Sequence, residues 1–230
     1  VQAYNASGAL KFQRFDEDAG VFPVCADISD NNKVLAVAYI DTSDIEIKSK
    51  ILFFYTDKED SKKTETNDMF AACEVNDEII VNIYNMTGDE YVCVSDKRVF
   101  AVNSSGDILW ENAAGNKIDK FSFSEEGFMA VAYGDQTVSD LESVEPGTVV
   151  ILNFGGKQSG TFAAGDKVDI LYCSPYYTVV SAGNNYYGVK ANGKTVWEYT
   201  SGQGVKSIIP LDSAGQALCV TGGYADTMNM

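Results

Sequence analysis

The chain has 230 residues, of which 45% are hydrophobic, and a formal net charge of −16 at pH 7. This apolar fraction is enough for a folded core, which excludes a wholly disordered chain. The acidic charge repels nucleic-acid phosphates and anionic lipid headgroups, so we expect no nucleic-acid partner and no direct membrane contact by this segment. The chain contains no histidine, which excludes Ser-His-Asp and Cys-His nucleophile pairs and histidine-ligated zinc.

The start of the sequence carries no targeting signal. It begins Val1-Gln2 without an initiator methionine, and no stretch approaches the about 20 apolar residues of a membrane span. We therefore expect any export signal or membrane anchor to lie upstream of this sequence.

The cysteines are odd in number and spread along the chain. Most have apolar neighbours, and none has the spacing of a metal site. The five residues are Cys25, Cys73, Cys93, Cys173 and Cys219. We predict free, buried thiols that behave as small hydrophobic side chains, and no metal site.

Strand-like segments follow one another along the whole chain. Apolar runs of about four to eight residues, rich in Val, Ile, Tyr and Phe, are separated by Asn, Asp, Gly and Ser clusters. Examples are residues 33–39, 78–84 and 147–152. Since no long segment has a convincing helical period, the pattern predicts an all-β protein.

One hairpin motif recurs: an apolar strand, an Asn- or Ser-containing turn that ends in Gly, and then an aromatic residue. Clear copies join Gly8 to Phe12, Gly106 to Trp110 and Gly193 to Trp197, and a degraded copy joins Gly156 to Phe162. The hairpins begin near Tyr4, Ile51, Val99, Val149 and Tyr186. Four antiparallel strands in each period of about 40–50 residues predict a β-propeller of four-stranded blades. Trp110 and Trp197 are then expected to be buried between blades.

The two ends of the chain look like parts of a blade. Residues 1–15 form an outer hairpin, and residues 203–230 contain what look like the first two strands of a unit. We predict a single propeller domain over residues 1–230, with about five blades, in which the hairpin completes the blade begun by 203–230. Alternatively, the chain is an arc of a larger propeller.

The Gly-x-x-x-Trp hairpins resemble the repeats of PQQ-like and WD40-like bacterial propellers. The turn at 29–33, the strand at 149–152 and the hairpin at 192–197 are more closely similar to a family of unknown function, the membrane-anchored propellers of Gram-positive bacteria. This resemblance implies an extracellular, cell-surface location with an upstream membrane anchor, and it supplies no catalytic residues. Quinoprotein dehydrogenases share the Trp hairpin, but nothing here matches their cofactor site, so no cofactor is expected.

Two carboxylates suggest an enzymatic alternative. Aligning Ile28 with Val75 places Asp27 and Glu74 at equivalent positions on the innermost strands of neighbouring blades. Two carboxylates at the channel can act as general acid and base in glycoside cleavage. The next unit has Ser122 at this position, so the acid does not recur.

Tyrosines are concentrated around Ser174-Pro175, where Tyr176 and Tyr177 are the candidate residues for binding a ligand or partner. A tyrosine ring can be buried at an interface while its hydroxyl stays hydrated. The favoured hypothesis is a non-enzymatic extracellular binding or scaffolding propeller with a protein or glycan partner. The alternative is a glycan-binding or glycoside-cleaving propeller that uses Asp27 and Glu74.

Overall fold

The computed structural model describes residues 1–14, 20–56, 69–137, 142–212 and 215–229. These residues form twenty-one β-strands. None of the described segments is a helix with the length and apolarity of a membrane span. The chain forms two compact units, Val1–Ala113 and Ala114–Met230, and each is described by itself.

Unit 1 contains an N-terminal hairpin and two four-stranded antiparallel sheets, which we name blade 1 and blade 2. The hairpin is β1 (Gln2–Tyr4) and β2 (Leu10–Gln13). Blade 1 is β3 (Val21–Ile28), β4 (Val34–Asp41), β5 (Lys48–Tyr55) and β6 (Met69–Asn76). Blade 2 is β7 (Ile80–Thr87), β8 (Glu90–Ser95), β9 (Arg98–Asn103) and β10 (Ile108–Ala113).

Unit 2 contains blade 3, blade 4 and a C-terminal sheet of three strands. Blade 3 is β11 (Asn116–Ser124), β12 (Phe128–Gln136), β13 (Thr148–Asn153) and β14 (Gln158–Ala163). Blade 4 is β15 (Val168–Cys173), β16 (Thr178–Ala182), β17 (Asn185–Val189) and β18 (Thr195–Thr200). The C-terminal sheet is β19 (Val205–Pro210), β20 (Gln216–Thr221) and β21 (Ala225–Asn229).

The four blades confirm the predicted repeat of two strands before each hairpin and two within it. The sequence pattern predicts two strands in residues 203–230, whereas the C-terminal sheet has three. The third strand, β21, was missed because it has no apolar run. The predicted pairing of residues 1–15 with residues 203–230 joins parts of different units and stays a prediction, as does the single domain.

The middle strands of each blade are buried on both faces, which explains their continuous apolar runs. The two Ala-Val-Ala-Tyr sequences, 36–39 and 130–133, lie on the second strands of blades 1 and 3 and are fully buried. One core cluster joins blade 1 to blade 2, and another joins blade 3 to blade 4. Within each unit, each blade therefore buries a face against a neighbouring sheet, as blades of a propeller do.

The aromatic residue of the recurring hairpin lies opposite a small residue on the first strand of that hairpin. The pairs are Ala3 with Phe12, Ala101 with Trp110, and Gly188 with Trp197. In blade 3 this place is held by Gly160, opposite Ile151, while Phe162 lies opposite Val149. The degraded copy therefore lacks the aromatic at this position. Trp197 is buried as predicted, whereas Trp110 is only half-buried.

The glycine of the hairpin turn has a second role, because the turn touches the preceding blade. A Cβ atom on Gly106 would lie 2.3 Å from the carbonyl oxygen of Ala72 on β6. A Cβ atom on Gly193 would lie 2.3 Å from the carbonyl oxygen of Thr161 on β14. Both glycines also have positive φ angles, so the motif selects glycine for the turn conformation and for close packing between blades.

Candidate functional site

Asp27 and Glu74 do not form a pair. Asp27 lies on β3 and Glu74 on β6, which are the two edge strands of the same blade. Because neighbouring strands are about 4.8 Å apart, three strand spacings separate these edges by about 14 Å. This distance exceeds the separation that glycosidase carboxylates require, about 5–10 Å. The predicted placement of Glu74 on the innermost strand of the next blade is wrong.

The first strand of each sheet has a register shift near its start. These shifts serve as common reference points and give the correct alignment of the first strands. The shifts begin at Pro23, Ile80, Ile118, Val168 and Val205. The fourth residue after each start is Asp27, Tyr84, Ser122, Tyr172 and Ile209, respectively. Tyr84, and not Glu74, therefore corresponds to Asp27 in blade 2, and the predicted match of Asp27 with Ser122 is confirmed.

Asp27 joins blade 1 to blade 2. Its carboxylate accepts hydrogen bonds from the backbone N–H of Ile28 at 2.9 Å and from that of Asn85, on β7, at 2.7 Å. In unit 2 the hydroxyl of Ser122 accepts a hydrogen bond from the backbone N–H of Cys173, on β15, at 2.9 Å. The same contact between blades is thus made once by a carboxylate and once by a hydroxyl. Asp27 has a structural role that explains its presence without catalysis.

We predict that Asp27→Ala lowers the free energy of unfolding by about 1–3 kcal/mol, because the N–H of Asn85 loses its acceptor. Asp27→Ser should be less destabilising, because serine makes this contact in the other unit. Urea unfolding followed by circular dichroism measures both. Glu74→Ala is the control: Glu74 is exposed, and its removal should change stability by no more than about 0.5 kcal/mol. Equal losses for Asp27→Ala and Asp27→Ser would contradict the assigned role.

All five cysteines are free thiols, and four of them are buried, which confirms the prediction for them; Cys25 is half-buried. Burial raises the pKa of Cys25 and that of Cys173 to about 11 each, and it raises the pKa of Cys93 well above its usual value. These thiols are therefore protonated at neutral pH and poor nucleophiles. Within the described ranges, no three acidic or cysteine side chains are grouped to hold a metal ion.

Unit 2 has a cavity of about 360 Å³ between the far end of β12 and the loop that enters β15. Its walls include Asp119, Tyr133, Asp166 and Lys167, and the Lys167 Nζ atom lies 3.9 Å from Asp119 Oδ2. Burial raises the pKa of Tyr133 to about 12, so its phenol remains protonated. The lining is polar and charged, whereas a small-molecule site is mostly apolar.

The structure separates the two tyrosines predicted to bind a partner. Tyr176 is exposed, but Tyr177 is buried. The Tyr177 hydroxyl donates a hydrogen bond to the carbonyl of Gln216 at 3.3 Å, and its ring makes an edge-to-face contact with Trp197, with centroids 5.7 Å apart. Burial raises the pKa of Tyr177. As a core residue, Tyr177 cannot touch a partner directly, and it instead fixes the turn that carries Tyr176.

Exposed apolar side chains form a surface at the ends of β15 and β19 in unit 2, where the hydrogen bond from Tyr177 to Gln216 links the two turns. It contains Tyr172 (44% exposed), Tyr176 (47%), Ile209 (40%) and Leu211 (45%); we call these four residues the turn patch. Tyr172 and Ile209 occupy equivalent positions on β15 and β19, and Tyr176 and Leu211 follow the ends of those strands. The hydrogen bond from Tyr177 to Gln216 holds the two turns side by side.

Sequence reasoning missed three members of the turn patch. Of the tyrosines concentrated around Ser174-Pro175, only Tyr176 and Tyr177 were candidates, and residues 203–230 were assigned only as parts of a blade. The residue types carried no signal for Ile209, because the register shift at Val205 decides which residues of β19 are exposed.

Four-stranded antiparallel blades that bury their faces against one another define this protein as an all-β propeller. The family model of DUF5711, a family of unknown function, matches residues 1–230, so the chain belongs to that family. No curated protein matches the chain in sequence.

Solved structures with the same fold are distant in sequence. BBS1N, in a complex with ARL6DN, has a TM-score of 0.51 and 9% identity, with coverage of 100% of this chain and 82% of that chain. Kluyveromyces lactis Hsv2 has a TM-score of 0.52 and 11% identity, with coverage of 90% and 74%. The Neurospora crassa Pan2 WD40 domain has a TM-score of 0.48 and 10% identity, with coverage of 86% of this chain. This chain spans 55% of the Pan2 chain.

Proposed function

We propose that this chain is a non-enzymatic binding or scaffolding propeller that contacts a protein partner through the turn patch. The observation that carries the proposal is the exposure of four large apolar side chains at the ends of β15 and β19 and in the turns that follow them, which the hydrogen bond from Tyr177 to Gln216 links. Tyrosine is enriched at the centres of protein interfaces, where the side chain is fully dehydrated on binding, and the fully buried core of an interface is more apolar than the rest of the surface.

Two further observations support a binding role. The only catalytic pair that the sequence suggested is divided between opposite edges of blade 1, with Asp27 engaged in a contact between blades. Among proteins of similar fold, BBS1N was solved in a complex with ARL6DN. A shared fold does not transfer a partner, so the proposal depends on the turn patch itself.

The proposed location is the outside of a Gram-positive cell, with a membrane anchor upstream of this sequence. It is supported by the resemblance of the turn at 29–33 and the hairpin at 192–197 to membrane-anchored propellers.

Site-specific photocrosslinking tests the proposed function. A photoreactive p-benzoylphenylalanine replaces Tyr176 in one variant and Tyr224 in another, and each is incubated with surface proteins of the source cell. Tyr224 is the matched control, because it is a tyrosine of similar exposure, 51%, in the turn between β20 and β21, at the opposite end of the strands. We expect a protein adduct from position 176 only. The adduct should disappear when unlabelled wild-type chain competes, but persist with a Tyr172→Ala, Ile209→Ser chain.

Equal labelling from both positions, or an adduct that both competitors remove, would overturn the proposal. A carbohydrate adduct at position 176 would instead favour the glycan-binding alternative.

A further inference from the structure

Three turns of unit 2 lie side by side at the end of the sheets where the turn patch is found. The Ser124 hydroxyl donates a hydrogen bond to the carbonyl of Ser174 at 3.0 Å, which joins the turn of blade 3 to the turn of blade 4. The Tyr177 hydroxyl joins the turn of blade 4 to Gln216 of the C-terminal sheet. These hydrogen bonds link the turns that follow the first strands of three consecutive sheets, and we call the linked turns the row of turns.

Acidic residues lie on both sides of the turn patch along this row. Glu125 and Glu126 are exposed and directly follow Ser124, which contacts the turn of Tyr176. On the other side, Asp212 follows Leu211, and its carboxylate accepts a hydrogen bond at 2.9 Å from the backbone N–H of Gln216, the residue whose carbonyl contacts Tyr177. The described residues of these three turns include no lysine or arginine. The lysines at this end of the sheets lie on the outer hairpin turns, at positions 157, 190 and 194.

We infer that the partner contacts the turn patch with a basic protein segment, in which apolar side chains alternate with lysine or arginine. This inference rests on the proposed function and adds the chemistry of the partner. The apolar side chains cover the aliphatic and tyrosine surface, and the cations face Glu125 and Glu126 on one side and Asp212 on the other. Opposite charges at the rim of an apolar interface steer association and fix the register of the partner. An exposed tyrosine face also attracts a guanidinium group.

The alternative explanation for affinity to a basic segment is the charge of the whole chain, −16. The two explanations differ in position: a specific site loses affinity only when the acids of its own rim are neutralised. If the attraction comes from the charge of the whole chain, the affinity falls equally when any two carboxylates are neutralised, and salt removes it.

The test uses two fluorescein-labelled synthetic peptides, one of repeating Arg-Leu-Ser and one of repeating Glu-Leu-Ser, titrated with the whole chain at physiological salt. We expect the arginine peptide to bind and the glutamate peptide to fail. Tyr176→Ala should weaken binding about tenfold or more, as for a hot-spot residue. Joint Glu125→Gln and Glu126→Gln should weaken it about three- to tenfold, as two rim charges do.

Two controls match these changes. Tyr224→Ala removes a tyrosine of similar exposure from the other end of the strands, and joint Asp135→Asn and Asp166→Asn removes two exposed charges at the cavity. Neither should change the dissociation constant by more than about twofold, since neither group touches the row of turns. Equal losses at both acidic pairs would overturn the inference in favour of non-specific attraction.

The peptide experiment tests the chemistry of the partner, and the crosslinking experiment tests the proposed function. Either one can fail while the other succeeds. A position-176 adduct with a protein whose crosslinked segment is not basic would leave the proposed function standing and overturn the basic segment. Binding of the arginine peptide without any position-176 adduct would support the chemistry of the row and overturn the role of the turn patch.

Discussion

Gly106→Ala is expected to lower the free energy of unfolding by about 2–5 kcal/mol, although it adds one methyl group to a surface turn. Gly106 has φ +90°, a left-handed conformation that costs an L-residue about 1–2 kcal/mol. The added Cβ would also lie 2.3 Å from the carbonyl oxygen of Ala72. A backbone carbonyl cannot rotate away from the added methyl group as a side chain could. The two blades must therefore separate locally, which costs about 1–3 kcal/mol more.

The packing part of this effect can be isolated, because the N-terminal hairpin has the same turn without the contact. Gly8 has φ +79°, and a Cβ there would meet nothing within 4 Å. Gly8→Ala should therefore cost about 1–2 kcal/mol, the conformational part alone. Urea unfolding of both variants measures the difference. Equal losses would mean that the turn of blade 2 does not press on β6, and that the glycine serves the turn only.

The same contact recurs in unit 2, which makes it a property of the repeat. Ala72 lies opposite Leu52 on β5, and Thr161 lies opposite Val150 on β13. These two pairs occupy equivalent positions in blades 1 and 3. The Ala-Val-Ala-Tyr sequences give the alignment, because Ala36 pairs with Phe53 in the same way that Ala130 pairs with Ile151. Gly193 thus meets the equivalent carbonyl oxygen in the neighbouring blade, and Gly193→Ala should behave as Gly106→Ala does.

The sequence was sufficient to predict the blades because their signals are local. Apolar runs identify the buried middle strands, and the Asn-to-Gly turn identifies each outer hairpin. The aligned position of Glu74 was wrong because a register shift in each first strand, such as that at Pro23, leaves no mark in the residue types. An alignment by apolar pattern alone then matched a first strand with the fourth strand of the same blade.

The candidate binding residues were predicted only in part, because the sequence does not show which side chains a turn leaves exposed. Tyr176 and Tyr177 are adjacent and chemically identical, so composition cannot say which one is buried. The turn decides: the Ser174 hydroxyl accepts hydrogen bonds from the backbone N–H groups of both tyrosines, each at 3.2 Å. This arrangement turns Tyr177 toward Trp197 and leaves Tyr176 exposed. Side-chain hydroxyls of serine commonly fix turns in this way.

Trp197→Ala is expected to destabilise the protein by about 3–5 kcal/mol, as truncation of a buried tryptophan does. The indole lies over Gly188, where a Cβ atom would be 2.2 Å from Nε1. It also contacts Tyr177 and belongs to a core cluster with Ile208 and Cys219 of the C-terminal sheet. Its removal therefore leaves a cavity between two sheets, and not only within one.

Trp110→Ala is the matched comparison, because Trp110 holds the equivalent place in blade 2 but is half-buried. Its loss should be clearly smaller than that of Trp197, and urea unfolding by circular dichroism measures both. A larger loss at Trp110 would contradict the burial of the two residues. Trp197→Phe keeps a ring against Tyr177 and should recover part of the stability. Because Tyr177 fixes the turn of Tyr176, Trp197→Ala should also weaken crosslinking from position 176 under conditions where the chain remains folded, while Trp110→Ala should leave it unchanged.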